Sequence, residues 1–191
     1  MPSPSPARSL ALIALVAAAI LVLPATALAG SGGIGPAGSD DTPTTTVAGE
    51  RAKLLRSGLA AAPDGAPAAV QRAIAAANRI DDAGYCTGGG HGNWSSRCYD
   101  CSGAVSYVLG PKGADILKRP RDSSGFARWG ERGRGKWISV YTNPGHAMVV
   151  IAGLRFDTSV PDDGMDGPGW SKDVKAGLVN GPFVKRHFLG L

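Results

Sequence analysis

Residues 100–109 read Asp100-Cys101-Ser102-Gly103-Ala104-Val105-Ser106-Tyr107-Val108-Leu109. An acid, a thiol and two small residues stand before an apolar run that Gly110-Pro111 closes. This is the pattern of a short buried helix over Ser102–Leu109, with Cys101 at or next to its start. A helix N-terminus presents free N–H groups and a positive half-charge, which favour an anion and hence a thiolate. The thiolate is the nucleophilic form, so the position suits covalent catalysis. The small Ser102 and Gly103 leave room for a substrate near the sulfur. The competing reading is an inert buried cysteine.

Upstream, Ala52–Leu59 is expected to form a short helix. Pro67 opens a clearer one that ends near Ile80, with Val70, Ile74 and Ala77 on one face. Asp81-Asp82 and Gly84 break it, and a Gly-rich stretch follows, Gly88-Gly89-Gly90-His91-Gly92. Beyond Gly130 the texture changes to strands, expected over Lys136–Thr142, His146–Ala152, Leu154–Asp157 and Phe183–Phe188. Helices first and an antiparallel sheet after them predict an α+β fold.

A nucleophilic thiol needs a base. His146 opens the strand Ala147–Ala152 behind a tight Pro144-Gly145 entry, which places it at a strand mouth facing a cleft. The alternative is a surface-loop histidine. The base needs an acceptor for its second ring nitrogen. Asp157 ends Leu154-Arg155-Phe156-Asp157, and a hairpin turn at Ala152-Gly153 brings it back toward His146. Its other reading is a turn cap before Thr158-Ser159.

With these residues in place, the sequence resembles the NlpC-type cell-wall cysteine peptidases, papain-like hydrolases of bacterial peptidoglycan. The shared pattern is Tyr85-Cys86-Thr87-Gly88-Gly89, then Asp100-Cys101-Ser102-Gly103, then Gly145-His146, then a polar residue on the next strand, here Asp157. Arg119-Pro120-Arg121-Asp122-Ser123 resembles the family's Pro-Arg-Thr-Ser segment. The likeness spans roughly residues 67–159. It implies a papain-like fold, N-terminal helices packed on a small antiparallel sheet, with Cys101 as nucleophile, His146 as base and Asp157 as orienting residue. It implies that Tyr85 helps hold the oxyanion, and that His91, Ser102 and Arg121 are substrate-binding candidates. Two departures stand out. Gly133-Arg134-Gly135-Lys136-Trp137-Ile138 replaces the usual Gly-Asp-Leu segment, and Asp157 replaces the more usual histidine.

The other cysteines leave three arrangements open. Cys98-Tyr99-Asp100-Cys101 is a Cys-x-x-Cys, the pattern of a thiol–disulfide oxidoreductase, though no thioredoxin-like βαβ unit surrounds it. Cys86 and Cys98 flank the Gly-rich loop, and a bridge between them would leave Cys101 free. Cys86, His91, Cys98 and Cys101 are formally four zinc ligands, at a spacing unlike common fingers; no metal site is expected. Trp94, Trp129, Trp137 and Trp170 are either binding walls or, by default, core. An inactive wall-binding module on the same fold is a further alternative.

Arg8, the uncharged run Leu10–Leu23 and Ala27-Leu28-Ala29 form a signal peptide over residues 1–29. As a helix the run spans about 21 Å, short of a roughly 30 Å hydrocarbon core. A Gly-, Thr- and Pro-rich linker is expected over 30–48 and the folded domain over 49–191. The product is expected outside the cytoplasm, where disulfides persist. The chain has 191 residues, 43 % hydrophobic and 18 % charged, with 28 Gly and 14 Pro, which fits one globular domain and no simple helical bundle. Its net charge is +5, and the cations are scattered, which excludes a basic nucleic-acid tail. Loss of Arg8 with the leader leaves +4. The expectation is a secreted, cell-wall-associated, monomeric hydrolase acting on peptidoglycan stem peptides, with no cofactor, no nucleic acid and no membrane once the leader is cleaved.

Overall fold

The computed structural model describes Met1 and residues 44–160, 167–178 and 181–191. Apart from Met1, the expected signal peptide lies outside the described residues, as does the expected linker up to residue 43. Eleven strands and three α-helices are described: β1 (Thr46–Val47), β2 (Lys53–Leu54), β3 (Ala60–Pro63), α1 (Ala68–Ile80), β4 (Gly84–Tyr85), β5 (Cys98–Tyr99), α2 (Cys101–Leu109), α3 (Ser123–Phe126), β6 (Glu131–Arg132), β7 (Ile138–Asn143), β8 (His146–Ile151), β9 (Leu154–Asp157), β10 (Gly169–Ser171) and β11 (Val184–His187). A 3₁₀ turn covers Ala176–Leu178. Among the described residues no helix is long and apolar enough to cross a membrane.

The fold is α+β. A six-stranded sheet runs β10-β9-β8-β7-β11-β6, every neighbouring pair antiparallel. Strand alternation sorts its residues between two layers. Ala147, Val149 and Ile151 of β8 join Val140, Phe156 and Trp170 in the main core, together with Val70, Ile74 and Ala77 of α1 and Val105, Val108 and Leu109 of α2. Met148, Val150 and Tyr141 instead form a small second cluster under Val174, Leu178 and Phe183.

Every residue of α2 from Ser102 to Leu109 is buried, as expected of a helix that is apolar nearly all round. The helix starts where it does because the Asp100 carboxylate accepts from the Gly103 N–H at 2.7 Å. Gly103 itself has no substitute. A Cβ there would stand 1.8 Å from the carbonyl oxygen of Gly89, so the Gly-rich loop packs directly on the first turn of α2.

Pro67 caps α1 with extended backbone and its N–H-free ring enters the first turn without loss. Asn78, near its end, ties three elements together. Its Oδ1 accepts from Ala60 N (3.0 Å) and Trp170 Nε1 (2.9 Å), and its Nδ2 donates to Ala60 O (2.9 Å). Asn78→Ala would strand buried groups of Ala60 and Trp170. The expected cost is roughly 2–4 kcal/mol, from net hydrogen-bond values and desolvation penalties, and urea denaturation measures it.

The expected helix over Ala52–Leu59 is not present. Lys53 and Leu54 pair with Ala61 and Ala60 as β2 against β3, Ala52 N donates to Ala152 O at 2.9 Å, and Gly58 turns the chain at φ 88°. Pairing with the buried Ala60–Pro63 strand overrides a weak local helical pattern. β1 falls inside the stretch read as linker and pairs in parallel with β3, Thr46 opposite Ala62.

Candidate active site

Ala152 and Gly153 turn β8 into β9 with positive φ at both positions, 46° and 91°. This is the two-residue hairpin geometry that matches strand twist, and the second position suits glycine. The turn sets the register Ile151–Leu154, Val150–Arg155, Val149–Phe156. One pair further on, Asp157 comes opposite Met148, diagonal to His146 on the same face. The Nε2 of His146 lies 2.8 Å from Oδ1 of Asp157. On its other side Asp157 pairs with Gly169, which has no side chain to compete.

Asp157 is 2 % exposed. Its Oδ2 accepts from Ser159 Oγ at 2.8 Å, its Oδ1 accepts from Ser159 N at 3.3 Å, and Arg155 Nη1 lies 3.8 Å from Oδ2. Burial opposes the carboxylate, yet the hydrogen bonds from His146 and Ser159 and the charges of His146 and Arg155 hold its pKa below the ordinary carboxyl value. Asp157 thus caps the turn at Ser159 and faces His146 at once; the two readings of the sequence are both realised.

His146 is half-buried and is the first residue of β8. Cys101 acts on the same ring and favours its charged form. Burial disfavours the charged ring, but the hydrogen bonds and charges of Asp157 and Cys101 outweigh it and push the His146 pKa from 6.5 to about 10. An imidazolium at neutral pH between a thiol and a carboxylate follows.

The corner that presents His146 is braced from α3. Ser123 Oγ donates to Pro144 O at 3.0 Å, Thr142 Oγ1 donates to Ser123 O at 2.7 Å, and Asn143 Oδ1 accepts from Gly145 N at 3.0 Å. Beside the corner lies an open cavity of about 300 Å³ lined by Asn143, Pro144, Gly145, His146 and Pro182. Phe183 meets the His146 ring edge-on at 6.3 Å. From the C-terminal segment Pro182 and Phe183 reach the site; Trp170 is 2 % exposed and packs on Phe156 in the core.

On the other side of Cys101, Cys86 and Cys98 are joined by a disulfide and Cys101 is free and half-buried. Cys98 is therefore paired away from Cys101, which removes the redox motif, and two of the four formal zinc ligands are bound to each other. The bridge closes β4 onto β5, which pair with Gly84 opposite Cys98 and Tyr85 opposite Tyr99. In the loop-entropy model, closing this ring is worth about 3 kcal/mol. A Cys86→Ser, Cys98→Ser double variant is expected to lose about that much in guanidinium denaturation.

Tyr85 is 48 % exposed. Partial burial, then the charges of Cys101 and Asp100, raise its pKa, while a hydrogen bond with Thr87 opposes this. The phenol thus stays protonated, a donor within the electrostatic reach of the sulfur. His91 Nε2 lies 3.0 Å from Asp100 Oδ1 and 3.1 Å from Ser102 Oγ, and Gly88 N donates to Asp100 Oδ2 at 3.0 Å. The His91 ring ties the Gly-rich loop to the start of α2.

Two expectations need correction. Ser102 is 4 % exposed and its hydroxyl donates to Asp100 at 3.2 Å, so it belongs to the helix cap and gives a substrate no open space. Gly103 is filled from behind by Gly89. Arg121 turns its Nη1 to Gly125 O at 3.4 Å, and its own N–H is held by Ser106 Oγ at 3.0 Å; the side chain is committed to its own loop. Sequence reasoning missed Ser159, Arg155 and Phe183. The Asp157-x-Ser159 spacing is the one signal that pointed to any of them, as an Asx turn.

Trp129 and Trp137 are core residues, at 7 % and 8 % exposure, and Trp94 packs partly buried against Gly110. Compared with protein-family models and with curated proteins, the sequence matches none.

Proposed function

We propose that the protein is an exported, monomeric thiol hydrolase on a papain-like NlpC-type fold, cleaving amide bonds in the peptide stems of cell-wall peptidoglycan. The supporting observation is one arrangement: the free Cys101 at the N-terminus of α2, close enough to raise the His146 pKa, and the His146 Nε2 2.8 Å from the buried Asp157 carboxylate. Nucleophile, base and orienting acid in that order are the requirements for acyl transfer through a covalent intermediate.

The Cys101 sulfur attacks the scissile carbonyl as the thiolate, its proton held on the His146 imidazolium. Negative charge moves to the carbonyl oxygen, where the backbone N–H of Cys101 and the Tyr85 hydroxyl are the donors at hand. His146 gives its proton to the departing amine as the tetrahedral species collapses to a thioester. Water, deprotonated by His146, then attacks the thioester carbon, and the thiolate leaves. Asp157 keeps the ring oriented and balances its charge throughout. The resemblance of Asp100–Gly103 and Gly145-His146 to cell-wall peptidases supplies the substrate class, with a γ-D-glutamyl to diamino-acid bond as the target.

Purified peptidoglycan incubated with wild type and with Cys101→Ala tests this. Mass spectrometry of soluble fragments is expected to show a new free amine on the diamino acid with wild type and none with the variant. No new fragment from wild type, or cleavage that survives Cys101→Ala, overturns the proposal.

A further inference from the structure

Arg155 sits inside β9 at 1 % exposure, and arginine is almost never so buried unless paired. Its Nε and Nη1 reach no hydrogen-bond acceptor. The ion pair the structure gives it is with Asp157, Nη1 to Oδ2 at 3.8 Å. The guanidinium has little freedom to move. Val150 and Ser171 flank Arg155 in register. Above it lies the 3₁₀ turn, so close that a Cβ on Gly177 would stand 2.4 Å from Arg155 Nη1, 2.6 Å from Met148 Sδ and 2.9 Å from Arg155 Cδ. That turn is held at its start by Asp173, whose Oδ1 accepts from Lys175 N at 2.9 Å and Ala176 N at 3.0 Å.

A buried cation with unused donors is costly, and a hydrophobic residue of the same volume would usually serve stability as well. The hydrolytic steps above do not touch Arg155. What the position does offer is a fixed positive charge behind the oxygen of Asp157 that faces away from His146. We propose that Arg155 is a positioning residue, its clamped guanidinium keeping the Asp157 carboxylate charged and aimed at His146 so that the Cys101–His146 pair persists into mildly acidic solution.

The charged and titratable groups around Asp157 are few. On β8 there is His146, and through it Cys101 of α2. On β9 there is Arg155. The β10 neighbours, Gly169 and Ser171, are uncharged, and Asp81, at the end of α1, approaches Gly169. Tyr141 of β7 lies in the cluster with Met148. The segment over the sheet carries Lys172, Asp173 and Lys175, all exposed. Besides the His146 imidazolium, Arg155 is the cation among them in contact with the carboxylate.

The inference takes its catalytic meaning from the hydrolase reading, but its test does not depend on it. The test is the rate of Cys101 alkylation by iodoacetamide against pH, with near-ultraviolet circular dichroism to establish folding. An opposite charge at this range lowers a carboxyl by one unit or more, so Arg155→Met is expected to move the acid limb up by about one pH unit, roughly tenfold slower alkylation on the acid side of that limb, below pH 3.8. Near pH 8 the rate should stay within about twofold, and Arg155→Lys should restore most of the loss because it keeps the charge. A folded Arg155→Met with an unshifted limb overturns the proposal, as does a rate lowered equally at every pH. If that variant does not fold, Gly177→Ala decides. Its Cβ must displace the guanidinium, and the same limb shift is expected; an unchanged limb overturns the proposal. Wild type that releases no wall fragment while the limb still moves with Arg155→Met would sink the hydrolase reading and leave Arg155 in its place.

Discussion

Replacing His146 by alanine is expected to slow release of stem-peptide fragments on the order of 10⁴-fold or more, since general acid–base transfer alone contributes about 10²–10⁴-fold. The ring has two duties that fail together. It holds the proton that leaves Cys101, and it protonates the departing amine. Groups that act as a unit lose most of their effect when any one is removed, so His146→Ala should be nearly as inactive as Cys101→Ala. The corner that carries the ring is fixed by contacts from Ser123 and Thr142, so the variant should still fold, with a lower melting temperature because the His146–Asp157 pair is lost. Initial rates of fragment release, measured at a temperature where circular dichroism shows the variant folded, give the effect, and a variant within tenfold of wild type would remove His146 from the chemistry.

The second large effect is expected from Asp157→Asn. An amide keeps the shape of the carboxylate but neither balances the imidazolium nor selects the productive tautomer; in the serine-protease precedent such a change costs about 10⁴-fold, and roughly 10²–10⁴-fold is expected here. The pH profile should move with it. In wild type the charged ring persists to about pH 10, so hydrolysis should decline only as pH approaches that value, while alkylation of Cys101, which needs no proton donor, should not. In Asp157→Asn the alkaline limb of hydrolysis should fall by more than one pH unit, because the largest favourable partner of the ring is gone. Stability follows the same pair. The folded His146 value lies above its ordinary 6.5, so its contribution is full below pH 6.5 and is lost as pH rises through about 10. The folded Asp157 value lies below its ordinary 3.8, so its contribution is present above pH 3.8 and is lost as pH falls further. Melting temperatures measured across pH should show this dependence in wild type and lose it in Asp157→Asn.

Much of this arrangement is legible in the chain because its signals are local. Asp100 before a thiol and an apolar run announces a capped helix, and α2 begins at Cys101. Ala152-Gly153 marks a turn between two apolar strands, and once the turn is known, alternation alone carries Asp157 to His146. β9 spans the four residues expected, and the bridge between Cys86 and Cys98 is one of the three arrangements the cysteine spacing left open. What escaped is set by partners distant in sequence. Lys53–Leu54 is extended because Ala60–Ala61 and Ala152 lie beside it, and no window around it records that. Ser102 reads as small and permissive, but the Gly-rich loop fills the space in front of it. Nothing in Leu154–Asp157 announces that Arg155 is buried; its burial depends on Gly177, more than twenty residues later, folding over it.

The contacts of the site differ sharply in how far the chain must travel to make them. His146 and Asp157 are eleven residues apart, joined by one tight hairpin, whereas Cys101 meets them only after α2 has docked onto the sheet. In a chain still folding, the imidazole and its acid can already be partners while the sulfur remains an ordinary thiol with no helix dipole behind it and no base in front. Reactivity is then a product of the last assembly step, so that completing the tertiary structure acts as the activation event, and a chain in transit carries little chemical hazard to its surroundings.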